Sequence, residues 1–91
     1  SSDIVRVRLE ERLAACVNRY PVNSTFWWEG KVVSEDEFLM VIKTEKHLFD
    51  AVERIIEEMH PYDIPEIIAV PVVAASGEYS GWVRRVLESP S

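Results

Sequence analysis

The stretch His60-Pro61-Tyr62-Asp63-Ile64-Pro65-Glu66 puts an imidazole, a phenol and two carboxylates into one short connection containing two prolines. Proline fixes φ, denies the chain a helix and pushes the residue before it towards extended geometry, so His60 and Ile64 are held in place. A connection that only turned a corner would more usually be built from Gly, Asn, Asp or Ser. The stiff, polar composition therefore invites a functional reading, set against a plainer one in which the prolines stop a helix and Tyr62 caps the core. With Cys16, His47 and Met59, the donors His60, Asp63 and Glu66 form a mixture that suits copper or zinc, but without the Cys-x-x-Cys or His-x-x-x-His spacing of a closed structural site. His60, at the end of a helix, would also favour the helix dipole when charged. Cys16 alternates with Asn18 and Tyr20 on one face of a strand, with Ala15 and Val17 on the other. A single strand cysteine is more often a small buried hydrophobe than a ligand. His47 stands among Glu45, Lys46 and Asp50 and is expected to face solvent. No nucleophile elbow, phosphate-binding glycine loop or histidine with a base partner is present, which speaks against an enzyme.

The elements around these residues follow from periodicity. Asp3 can cap a helix with Val5, Leu9 and Leu13 spaced by four, although Val5 to Leu9 also alternates as a strand would; helix is the preferred reading. Ala15 to Tyr20 reads as a strand, interrupted by Pro21 and the Asn23-Ser24 turn signal and resuming through Thr25 to Glu29. Gly30-Lys31 makes a hairpin tip, and Glu37 to Lys43 the return strand, with Lys43 closing an otherwise apolar run. Thr44 is a fair N-cap, with Glu45 in the first turn, for a helix whose stripe is Leu48, Phe49, Val52, Ile55, Ile56 and Met59 and which Pro61 ends. Ile67 to Val73 reads as the last strand, and a short terminal helix carries Tyr79, Trp82, Val83, Val86 and Leu87.

Composition bounds what such a chain can do. Its 91 residues, 47% hydrophobic and 29% charged, make one globular domain with a small core, spanning 1–91. A net charge of −6 excludes a protein built to neutralise phosphates, so no nucleic-acid partner is expected. One cysteine rules out an internal disulfide, and no apolar run approaches the ~20 residues of a membrane span; a cytoplasmic location is the natural expectation. Phe38 to Ile42 is apolar at both parities and Ile67 to Val73 has the same double-sided character, as in strands buried on both faces. Two helices cover one sheet face and little more. The other face, with Trp27 and Trp28 on opposite sides of one strand, calls for a second copy of the chain, which predicts a homo-oligomer.

The motifs Glu11-Arg12-Leu13-Ala14-Ala15-Cys16-Val17-Asn18, Trp28-Glu29-Gly30-Lys31, Ile42-Lys43-Thr44, His60-Pro61-Tyr62 and Pro65-Glu66-Ile67-Ile68 occur in the order and approximate spacing of the CutA divalent-cation tolerance family. Tyr79 and Trp82 resemble its closing motif, so the resemblance covers nearly the whole chain. It implies an α+β, ferredoxin-like βαββαβ sandwich with a short C-terminal helix, assembled as a tight homotrimer like the PII signalling proteins. It also implies a role in tolerance of divalent cations, with copper or another divalent metal ion as ligand. Of the metal set, His60 maps directly; Met59 stands where some members carry a preceding histidine, and Cys16 is a further candidate. A second implication is a small-molecule cleft between subunits, at which Lys43, Tyr62, Trp28, Glu66 and Trp82 would converge. There Lys43 would bind a small anionic ligand, Tyr62 would hydrogen-bond it, and a tryptophan would offer a flat surface. Alternatively, Lys43 and Glu66 form an ion pair that fixes the trimer. Family members begin with a strand ahead of the first helix, usually a central one, and this sequence starts inside or just before that helix. A missing or unobserved N-terminal segment is therefore expected.

Overall fold

A computed structural model of the chain describes residues 11–59 and 66–88. The helix expected from Asp3 onward lies mostly outside the described residues. Its expected last turn, at 11–13, is a turn and bend, with Arg12 in the left-handed region (φ 63). From there the chain enters a two-stranded antiparallel sheet made of β1 (Cys16–Trp28) and β2 (Lys31–Lys43). The register is uniform from Cys16↔Lys43 to Trp28↔Lys31. Glu29 and Gly30 close it with φ of 50 and 79, the paired positive values of a type I′ turn, whose twist matches that of the strands. The tip thus falls one residue before the expected Gly30-Lys31, and the return strand begins at Lys31 instead of Glu37, because the cross-strand pairs from Trp28–Lys31 onward extend the ladder to the turn.

The expected interruption at Pro21 and Asn23-Ser24 does not occur: β1 runs unbroken through it. The reason lies in the register. A two-residue turn makes Trp28–Lys31 a hydrogen-bonded pair, and bonded and non-bonded pairs alternate along an antiparallel ladder. Pro21, opposite Phe38, therefore falls in a non-bonded pair, where its missing N–H costs the ladder nothing. The polar residues beyond it find cross-strand partners: Asn23 Nδ2 donates to Asp36 Oδ1 at 3.0 Å, and the Thr25 and Ser34 hydroxyls lie 2.9 Å apart. The Arg19 guanidinium sits 4.6 Å from the centre of the Phe38 ring on the same face.

After β2, a 3-10 turn (Lys46–Leu48) leads into α1 (Phe49–Met59). Thr44 does not cap this helix as expected. Its hydroxyl donates instead to the Leu13 carbonyl at 2.7 Å, and Glu45 takes the cap position without a side-chain bond. The stripe from Leu48 to Met59 is half-buried, while Asp50, Arg54, Glu57 and Glu58 are exposed, which is the amphipathic division the spacing implies. Residues 66–76 have no regular structure, so the expected last strand is not formed. The segment pairs with neither outer edge of the β1–β2 ribbon, and a backbone without such a neighbour has no ladder to join. α2 (Gly77–Glu88) follows, capped by Ser76, whose Oγ accepts from the Tyr79 N–H at 3.1 Å.

These strands and helices give the α+β class. Within a single chain, however, the expected burial of both sheet faces is absent. Ala14 alone among the described residues is buried; Trp27 and Phe38 on one face are 74% and 63% exposed, and Leu39 on the other is 51% exposed.

Candidate functional site

Alternation sorts the ribbon's side chains into two faces, and the residues of chemical interest share one of them. Even positions of β1 and odd positions of β2 point the same way, so Cys16, Asn18, Trp28, Lys31 and Lys43 lie on a common face. At the base of the ribbon Cys16 is directly opposite Lys43. The Lys43 ammonium donates to Asn18 Oδ1, and the Cys16 thiol lies 3.9 Å from the same oxygen. All three side chains are half-buried. The backbone beneath them is tied twice, by Ala15 N–H to the Lys43 carbonyl at 2.9 Å and by the Thr44 hydroxyl to Leu13.

Trp28 stands at the other end. Twelve residues of strand separate Lys31, its partner, from Lys43, roughly 40 Å at about 3.3 Å per residue, most of the 45 Å length of the chain. One copy therefore cannot bring Lys43 and Trp28 into a single cleft. Trp82, on α2, stacks at a tilt on Tyr79 with ring centres 5.7 Å apart and remains 41% exposed. Glu66 is exposed, and within one copy the Lys43 ammonium is engaged by Asn18. His60 and Tyr62 lie outside the described residues, as does Asp63. His47 is exposed on the 3-10 turn, as its neighbours implied.

For a metal ion the described donors are sparse: no group of three or more His, Cys, Asp or Glu side chains comes together among the described residues. Cys16 also faces the fixed positive charge of Lys43, so a cation at its sulfur would be repelled unless the ammonium moved away. The same charge suits an anion. A shallow depression of about 340 Å³ between Pro21, Val22, Asn23, Asp36, Glu37 and Phe38 includes none of the expected site residues. Asn18 is the participant that sequence reasoning passed over. Its place on the face of Cys16 was legible from alternation, but its contact with Lys43 depends on the register.

Comparison with known proteins gives a consistent picture. The model of the family "CutA1 divalent ion tolerance protein" matches residues 1–86. The chain is 42% identical to the human protein CutA over 92 residues, covering 100% of this chain and 51% of that protein, so it spans about half the length of this relative. Among solved structures, it is similar to the periplasmic divalent cation tolerance protein CutA of Archaeoglobus fulgidus. There the TM-score is 0.90 and the identity 39%, over 96% of this chain and 85% of the other. It is also similar to the PII-like protein CutA of Nostoc in its apo form, with TM-score 0.86 and 34% identity over 97% of this chain and 86% of that one. The fold is thus the α+β, ferredoxin-like one that the motifs implied.

Proposed function

The chain belongs to the CutA1 divalent ion tolerance family, and from that membership we propose that it acts as a homotrimeric, non-catalytic binding protein in the cell's response to divalent metal ions. The family match is the observation that carries this reading. In it, copper or another divalent ion is the ligand, His60 is the leading donor, and Cys16 is a second donor that must compete with the charge of Lys43. The trimer has support of its own in the ribbon. Its two faces are left substantially exposed by one copy, and a face whose functional residues lie at opposite ends is completed when the tip of one ribbon meets the base of the next. Such a head-to-tail contact closes into a ring when its rotation is a whole fraction of a turn, and a three-membered ring is the proposed closure. Among the described residues no helix is long and apolar enough to cross a membrane. A cytoplasmic location is proposed, to be tested by cell fractionation because the Archaeoglobus relative is described as periplasmic.

Calorimetric titration of the purified protein with copper and zinc tests the metal reading. Stoichiometric binding that His60→Ala abolishes supports it; binding unchanged in both His60→Ala and Cys16→Ala removes these residues from the account.

A second reading is favoured by a specific observation, the Lys43 ammonium held on the face that also carries Trp28. In this reading the trimer senses a small anionic ligand in clefts where Lys43 of one copy meets Trp28 of another, with Tyr62, Glu66 and Trp82 as further lining. Apolar walls with a few placed polar groups are what such a pocket requires. A thermal-shift screen of small anions should show stabilisation that Lys43→Ala and Tyr62→Phe remove while the trimer persists.

A further inference from the structure

We infer that Asn18 is the positioning residue of the anion site, orienting the Lys43 ammonium and adding a donor of its own; this rests on the small-anion reading of Lys43. A free lysine is a flexible, strongly hydrated point charge that loses considerable rotamer freedom when it is fixed in one place. Here that freedom is already restricted. The Lys43 backbone is pinned by Ala15, its neighbour Thr44 is pinned to Leu13, and its ammonium rests on Asn18 Oδ1 from the adjacent strand. An ammonium has three N–H donors, so one bond to Asn18 leaves two for a ligand. A carboxamide whose oxygen accepts from a cation carries its NH2 group beside that oxygen, on the same carbon and in the same plane, and that group only donates. Oδ1 is occupied by Lys43 and lies 3.9 Å from the Cys16 thiol, which fixes the sense of the amide. Asn18 and Lys43 together therefore present only donors and one net positive charge on a half-buried surface. The ligand class that satisfies them is a carboxylate or phosphate oxyanion bridging the Asn18 Nδ2 and the Lys43 Nζ.

Substitution of the amide separates this role from a structural one. Asn18→Asp keeps the shape and the contact with Lys43 but turns it into an ion pair that cancels the charge offered to a ligand. Asn18→Ala removes the tether and the donor while leaving the charge. The probes are inorganic phosphate and oxalate, titrated by calorimetry against wild type, both variants and Lys43→Ala, with the assembly state of each checked by sedimentation. The expected result is binding by wild type, loss in Lys43→Ala, and weakening of about tenfold or more in Asn18→Asp, in line with the strength of a charge-assisted hydrogen bond, although its thermal stability is kept or raised. Asn18→Ala should weaken binding less than Asn18→Asp does. A purely structural Asn18 would instead leave anion affinity unchanged in the variants that still assemble, and that result overturns the inference alone. If wild type binds neither probe, the anion reading of Lys43 falls and this inference with it.

Discussion

The two-residue turn at Glu29-Gly30 sets the register that sends Trp28 and Lys43 to opposite ends of one face, so its backbone can be probed directly. Gly30 has φ 79, and a Cβ built there would meet nothing within 4 Å. Any penalty for a side chain at this position is therefore conformational and not steric crowding by neighbours. The left-handed region costs an L-residue about 1–2 kcal/mol, less for Asn, whose short polar side chain tolerates it, and more for a β-branched residue. Stability should thus fall in the order Gly, Asn, Ala, Val, with Gly30→Ala losing about 1 kcal/mol per chain and Gly30→Val about 2. In a trimer the three turns act together, and the deficit per assembly is about three times as large. Glu29, at φ 50, provides the opposite control: Glu29→Asn creates the favoured Asn-Gly turn and should add a few tenths of a kcal/mol. Guanidinium denaturation at fixed chain concentration reads all five proteins. Gly30→Ala as stable as wild type, or an order in which Val equals Asn, would refute a left-handed turn and the register built on it.

Other outcomes follow from single contacts. Ser76→Ala removes the hydroxyl that caps α2 and should cost about 1 kcal/mol, read as a lower thermal midpoint with reduced helical signal. Thr44→Val keeps the shape but orphans the Leu13 carbonyl, and should cost about 1 kcal/mol in denaturation; a neutral result would mean the two segments are not tied there. Asn23→Ala breaks an exposed cross-strand bond and should stay within about 0.5 kcal/mol of wild type, a useful negative control on the same ribbon.

The amphipathic helices and the existence of a hairpin at Gly30, though one residue off in its tip and six in the start of its return strand, were legible because their signals are local. The stripe from Leu48 to Met59 needs only a period of 3.6, and Gly30 supplies the positive φ that a tight turn demands. Pro21 misled because its effect depends on which pair of the ladder it occupies, a property of register and not of the residue. Thr44 looked like a cap from its neighbours, but its hydroxyl went to Leu13, 31 residues away in sequence. Ile67 to Val73 has a strand's composition but pairs with neither β1 nor β2, and composition cannot supply a partner. For the site, residue types pointed to Lys43 and Trp28, while the ~40 Å between them emerged only when the strands were laid side by side. The contact of Asn18 with Lys43 was hidden for the same reason, although its face was legible.

Sedimentation equilibrium at micromolar concentration tests the account most directly, because every proposed cleft needs a neighbour. A single cooperative species with three times the mass of the 10.5 kDa chain is the expected result. A stable, compact monomer that melts cooperatively would show that one copy shelters its own sheet, and would leave Lys43 and Trp28 with no shared site.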